Sequence, residues 1–183
     1  MLDLDLSEFP VLRTERLLLR ELRSDDALSL FALRSDQRVM QYIGRPRAGT
    51  VGDAEELIER IAIDRSNNAG ITWALEFRDG SPLIGTIGFY RLKLEHHRAE
   101  VGYLLGSSYW GQGLMGEALD EVVGCGFGQF GFHSIEAITD PRNTASNRLL
   151  ERHGFVREGL FKENYCWNGE FQDSAVYSRL AKG

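Results

Sequence analysis

The spacing of apolar residues changes period several times along the chain. Thr14 to Leu22, TERLLLREL, has the leucine density and mixed alternation of a strand. Ser24, Asp25 and Asp26 then form a helix cap with acids in the first turn, where the positive end of the helix dipole favours them. Ala27, Leu30 and Phe31 supply that helix's apolar face. Past the basic loop Arg45-Pro46-Arg47, Thr50 and Asp53 open a second helix with Ala54, Leu57, Ile58 and Ile61 at helical spacing.

The period then shortens to that of strands, over Thr72 to Phe77, Leu83 to Leu92 and Ala99 to Leu105. Asp79-Gly80 is a turn signal between the first two, which points to an antiparallel meander. Gly113 to about Phe130 has helical spacing, with Met115, Ala118, Leu119 and Val122 on one face. Gly124, Gly126 and Gly128 each cost roughly 1 kcal/mol relative to alanine there, so either this helix frays or something packs against its backbone. Ser134 to Thr139 is a short strand, and Asn143 caps a helix that carries Leu149 and Leu150 and stops at Gly154. A long strand from Phe155, the hairpin signal Asn168-Gly169 and a returning strand from Phe171 to Leu180 complete the chain. The order β-α-α-β-β-β-α-β-α-β-β describes an α+β domain, with helices flanking one mixed, mostly antiparallel sheet.

Composition narrows this picture. The 183 residues, 43% of them apolar, suffice for one core but not for two ordinary domains, so one domain is expected over 1–183. A net charge of -6 argues against nucleic acid and anionic lipid as partners, and favours an amine-bearing or cationic one. No stretch approaches the roughly 18 consecutive apolar residues of a membrane span. The start, MLDLDL, lacks a secretory signal's basic and apolar regions, which points to the cytoplasm. Cys125 and Cys166 lack metal-ligand spacing, and small buried hydrophobes are expected in preference to a disulfide.

Chemistry concentrates in Ala99 to Ala118, AEVGYLLGSSYWGQGLMGEA, a strand followed by a loop with two close glycines and a helix. Gly111 and Gly113 let the backbone approach a ligand, and the helix start leaves N–H groups without partners. Such a place binds phosphate or pyrophosphate, or is simply a structural turn. The dinucleotide fingerprint does not fit, because its strand belongs to a βαβ unit. The P-loop lacks its Gly-Lys-Ser/Thr ending.

The run Tyr109-Trp110-Gly111-Gln112-Gly113-Leu114-Met115-Gly116-Glu117-Ala118-Leu119 resembles the acetyl-CoA pyrophosphate loop of the GNAT superfamily, in the branch of ribosomal-protein N-terminal acetyltransferases (RimJ/RimL-like). The resemblance continues through Thr14-Glu15-Arg16-Leu17, Ile84-Gly85, Gly88, Asn143-x-x-Ser146-Asn147 and Gly154-Phe155, in the right order. It implies transfer of acetyl from acetyl-CoA to a primary amine.

By this resemblance the backbone N–H groups of Gly111, Gln112, Gly113, Leu114, Met115 and Gly116 hold the pyrophosphate. The strand ending Tyr103-Leu104-Leu105 hydrogen-bonds the pantetheine and splays from the strand near Ile138. Asn143 contacts the cofactor or only caps its helix. Met115 stands where the loop has glycine or alanine, which matters if its side chain crowds the phosphate. Leu150 replaces a tyrosine that in many relatives protonates the departing thiolate. Ser146 matches a serine near the sulfur in the RimL-type branch; it is the candidate proton donor, or else a serine bonding its own helix. A thiol pKa of ~8.5 makes the thiolate a tolerable leaving group either way.

Glu100 is the candidate general base, its alternative being a solvated edge-strand glutamate. A base is needed because an N-terminal ammonium has a pKa of about 7.7 to 8.0, and a lysine about 10.4. The N–H near Leu104 or Leu105 would stabilise the developing oxyanion.

No metal site is visible, His96-His97 is a solvated turn, and His153 suits a helix C-terminus. Trp73, Trp110 and Trp167 are packing residues. The expected acceptor is the N-terminal amine of a basic ribosomal protein, with a polyamine or antibiotic as one alternative and a degenerate acyl-CoA-binding module as another. The helices around Ser24 to Asn67 and the Asn168-Gly169 hairpin should wall the acceptor groove. A homodimer remains open, the C-terminal strand pair being a common dimer surface in the family.

Overall fold

The computed structural model describes residues 2–181, so positions 1, 182 and 183 of the expected domain lie outside the described residues. The strands are β1 (Leu12–Arg13), β2 (Leu17–Glu21), β3 (Ile71–Phe77), β4 (Gly85–Lys93), β5 (Arg98–Leu105), β6 (Ser134–Thr139), β7 (Val156–Trp167) and β8 (Glu170–Leu180). The helices are α1 (Ala27–Ser35), α2 (Gln37–Met40), α3 (Val51–Ser66), α4 (Leu114–Gly128) and α5 (Thr144–Arg152). All eight strands form one sheet in the order β1-β2-β3-β4-β5-β6-β8-β7. Only β5 and β6 pair in parallel.

Alternation along the central strands explains the layers. On β3, Ile71, Trp73 and Leu75 turn to one face, where they share a core with Leu114, Met115, Ala118, Leu119 and Val122 of α4. Ala74 turns to the other, against Leu30 and Leu33 of α1 and Ala54 of α3. Both faces are covered, so β3 is buried along nearly its whole length. Gly126 is the close-packed glycine of α4: a Cβ there would stand 2.7 Å from the Phe89 ring and 2.9 Å from Ile135. The helix therefore continues to Gly128 because the sheet presses on its backbone, whereas Gly124 and Gly128 meet nothing.

Several local expectations need correction. The strand expected over Thr14 to Leu22 is shortened to β2, because the Thr14 N–H donates to the Leu17 carbonyl and turns the chain there, and the two-residue β1 precedes the expected span. Ser24 does not cap α1; Ser24–Asp26 is a short 3-10 turn. Asp26 is turned inward, accepting from Arg20 at 2.7 and 2.8 Å and from the Arg23 N–H at 2.8 Å. The four-residue α2, capped by Asp36, is too short to show a period. Leu83 and Ile84 are buried but precede β4. Cys166 is exposed on β7, while Cys125 is buried and its thiol is pushed up to about 11 by that burial; both are free. Thr50 and Asp53 form the reciprocal cap of α3, and Asn168 and Gly169 both take positive φ in the turn between β7 and β8.

Candidate active site

The site begins where β5 and β6 part. Their pairing covers Arg98↔Ser134, Ala99↔Ile135 and Glu100↔Glu136 and then ends. The bond from the Gly106 N–H to the Ile84 carbonyl fixes the phase of the β4–β5 ladder, so Gly102 and Leu104 spend their backbone groups on β4. Tyr103 and Leu105 then turn theirs toward the gap. The Leu105 carbonyl accepts the Trp110 indole N–H at 2.8 Å, which leaves the Tyr103 N–H and carbonyl and the Leu105 N–H unpaired among the described residues. Of the two N–H groups expected to face a developing oxyanion, Leu105 is open and Leu104 is committed to the sheet.

At the mouth of the gap lies the loop before α4. Gly111 and Gly113 take φ of 73° and 78°. Gly113 occupies the cap position of α4 with no side chain closing it. The N–H groups of Gly111, Gln112, Gly113, Leu114, Met115 and Gly116 find no acceptor among the described residues. Unpaired donors gathered at a helix N-terminus fit a pyrophosphate. Met115 does not obstruct them, since its side chain is buried in the core. The loop is held from behind by Arg16, whose guanidinium donates to the Gln112 carbonyl at 2.9 Å and to Glu117 at 2.5 Å. Thr14 donates to the same Glu117 at 2.8 Å. The Thr14-x-Arg16 motif is therefore a brace for the loop, a role its sequence did not disclose. Gly116 has its own packing reason, a Cβ there meeting His153 Nε2 at 2.6 Å.

The far wall is the start of α5. Asn143 accepts from the Ser146 N–H at 3.2 Å, which is the cap role. Asn147 ties down the preceding loop through the Thr139 hydroxyl at 2.6 Å and the Pro141 carbonyl at 3.1 Å. Ser146 Oγ lies 2.7 Å from the Tyr103 hydroxyl, across the gap. Burial, only partly offset by this bond, pushes the Tyr103 phenol up to about 12 and keeps it neutral. Leu150, one turn beyond Ser146, is fully buried. Sequence reasoning assigned Tyr103 only a backbone role, although the alternation of β5 places its side chain opposite that of Glu100.

Glu100 sits on the other face of β5. It is mostly buried, and its Oε2 accepts from Arg91 Nη1 at 2.6 Å. Arg91 reaches it from a bulge in β4, where φ is 47° and the register shifts. On this face the loop after α2 approaches the β7–β8 hairpin, with the Tyr165 ring 3.0 Å from where a Cβ of Gly44 would stand. Between them lies a cleft of about 320 Å³ lined by Met40, Ile43, Arg45, Arg47, Trp167 and Asn168 among others. These segments are the ones expected to wall the acceptor groove. Among the described residues no group of His, Cys, Asp and Glu could hold a metal ion, and no helix is long and apolar enough to cross a membrane.

The family profile described as an acetyltransferase (GNAT) domain matches residues 16–156. The chain is 39% identical over 170 residues to the uncharacterized N-acetyltransferase YoaA of Bacillus subtilis, a match covering 93% of this chain and 96% of that protein. It is 33% identical over 100 residues to a ribosomal-protein-serine acetyltransferase of Escherichia coli, covering 54% of this chain and 55% of the other. Among solved structures, a GNAT-family acetyltransferase from Bacillus anthracis has a TM-score of 0.84 at 27% identity, over 93% of this chain and 98% of that one.

Proposed function

The chain belongs to the GNAT family of acetyl-CoA-dependent N-acetyltransferases, and from that premise we propose that its acceptor is the N-terminal amine of a ribosomal protein, acetylated in the cytoplasm by one domain spanning 1–183. The observation that carries the acceptor is the 33% identity to a ribosomal-protein-serine acetyltransferase. Acetyl-CoA supplies the activated acetyl thioester. The N–H groups from Gly111 to Gly116 would hold its pyrophosphate, and the free N–H and carbonyl of Tyr103 would hold its pantetheine amides, which keeps the Leu105 N–H for the reacting carbonyl.

Strand alternation then separates the two proton-transfer groups. Glu100, on the face of β5 that Leu104 turns toward α1 and α3, takes the ammonium proton through Oε1, while Arg91 fixes the carboxylate through Oε2. Ser146, hydrogen-bonded to Tyr103, faces the other side and returns a proton to the thiolate. The Leu105 N–H donates to the oxygen on which charge develops. Peptides copying ribosomal N-termini that begin with Ser or Ala should be acetylated in preference to spermidine and aminoglycosides. Faster turnover of a small amine than of every such peptide would overturn the acceptor.

A further inference from the structure

The acceptor cleft is basic although the chain carries a net charge of -6. Four arginines lie close together in the chain here: Arg34 in the last turn of α1, Arg38 in α2, and Arg45 and Arg47 in the loop before α3. The carboxylate of Asp36 is spent on Arg38 and on the Ser107 hydroxyl, both at 2.9 Å. Arg34, Arg45 and Arg47 form no ion pair among the described residues, and neither does Arg60 of α3. Arg91 is taken by Glu100. Arg45 and Arg47 line the cleft itself. Arg34 lies behind them, and its own carbonyl accepts the Ala48 N–H that anchors the loop.

Arg34 and Arg45 both act on the hydroxyl of Tyr90, the residue directly opposite Glu100 in the ladder, and Asp64 acts on it in the opposite direction, as the smallest of the three. Burial first, then the neighbouring Arg45 and, less, Arg60, push the Arg34 guanidinium down from its usual range; only Tyr90 acts in the opposite direction, and no carboxylate does. Asp64 lines a separate hollow with Ile61, Tyr90 and Arg91, and forms no ion pair among the described residues. Like charges held together in a partly desolvated place are stabilised by an anion between them, and the planar fork of arginine matches a carboxylate.

We propose that the acceptor carries a carboxylate within two or three residues of its reacting amine, and that Arg45, backed by Arg34, holds that carboxylate in the cleft. An extended chain advances about 3.3–3.6 Å per residue, so a carboxylate two or three residues along stands roughly 7–11 Å from the reacting amine, a separation that lets one chain span a base and a separate anion site. The assignment deepens the proposed function and rests on it for the position of the amine. A basic ribosomal protein approaches the acidic enzyme at long range, but its first residues are selected for an acid.

The test measures release of coenzyme A thiol with matched peptides that begin with Ser-Ala and carry Glu, Gln or Lys at the third position. β-Alanine and β-alanine amide serve as small amines with and without a carboxylate. The Glu peptide should exceed the Gln peptide in kcat/KM by roughly 10-fold, mostly through KM, and the Lys peptide by more. Arg45→Gln should make the Glu and Gln peptides react alike at an unchanged melting temperature, and Arg45→Glu should shift the preference to Lys. If every peptide is inert but β-alanine outruns its amide and loses that advantage in Arg45→Gln, the N-terminal acceptor fails and the arginine assignment stands. Equal rates for the Glu and Gln peptides, a preference that survives Arg45→Glu, or no turnover of any carboxylate-bearing amine overturns it.

Discussion

The hydroxyl of Tyr103 and that of Ser146 meet at 2.7 Å across the gap between β5 and β6, and no other side-chain hydrogen bond joins β5 to α5 among the described residues. Ser146→Ala should therefore lower kcat with little change in KM for the amine. The loss should lie near the low end of general-acid effects, on the order of 10²-fold, because a thiolate leaves readily. Tyr103→Phe separates the two hydroxyls. A smaller loss than in Ser146→Ala assigns the proton to Ser146, and a larger one assigns it to Tyr103. Burial pushes the Tyr103 phenol up to about 12, so neither route should impose an alkaline fall in rate below about pH 10.

Gly113→Val tests the cofactor loop. Gly113 takes φ of 78°, where a β-branched residue is strained whatever the space around it. Relief of that strain moves the N–H groups that lead into α4. Calorimetry should show acetyl-CoA affinity reduced by at least about 10-fold, the loss of one charge-assisted hydrogen bond. Unchanged affinity in a folded variant would place the pyrophosphate elsewhere.

Local chemistry made much of this fold legible. The span of β6 follows from Ser134 to Thr139 as read from its residues, and the Asn168-Gly169 turn and the Thr50–Asp53 cap follow from residues that need no distant partner. Pairings between distant segments were hidden. Nothing local shows that β6 pairs with β8 and leaves β7 at the edge, since any exposed backbone can accept any strand. The same holds for the site. Glu100, Ser146 and the glycine loop came from motifs. Tyr103 with Ser146, Arg91 with Glu100 and Arg16 with Glu117 are contacts across 43, 9 and 101 positions, made only once the sheet is assembled.

The Arg20 cluster should govern acid stability. Arg20 donates to Asp26 and, at 2.6 Å, to Glu76, and all three side chains are nearly buried. Burial alone would raise the pKa of Asp26, but hydrogen bonds from Arg20 and the Arg23 N–H, with the charges of both arginines, outweigh it and the net shift is downward. A depressed folded pKa gives stability that is complete above the unfolded value of about 3.9 and is lost as pH falls through the folded value. Asp26→Ala should cost about 3–5 kcal/mol at neutral pH, as expected when one member of a buried ion pair is removed. Its stability should also fall less steeply than the wild type's below about pH 4. Parallel acid-denaturation curves for the two proteins would remove Asp26 from this role.

Glu100→Gln bears on the chemistry itself. The substitution keeps an oxygen that can still accept from Arg91, so the bulge at Arg91 and the strand register should survive, and a retained melting temperature checks this. What is lost is the ability to take a proton. At neutral pH much of an N-terminal amine is protonated, its pKa being about 7.7 to 8.0, and kcat/KM should drop by roughly 10²- to 10⁴-fold. As pH rises past that pKa the amine arrives already neutral, so the deficit should shrink steadily toward pH 9. A lysine-like amine, with its pKa near 10.4, should recover far less over the same interval, which separates loss of a base from loss of a binding contact. Arg91→Ala should show a milder deficit at every pH, because the carboxylate is present but no longer held. A Glu100→Gln enzyme with wild-type kcat/KM from pH 6 to 9 would transfer the role to another group or to bulk water, and a deficit constant across that range would reduce Glu100 to a binding contact.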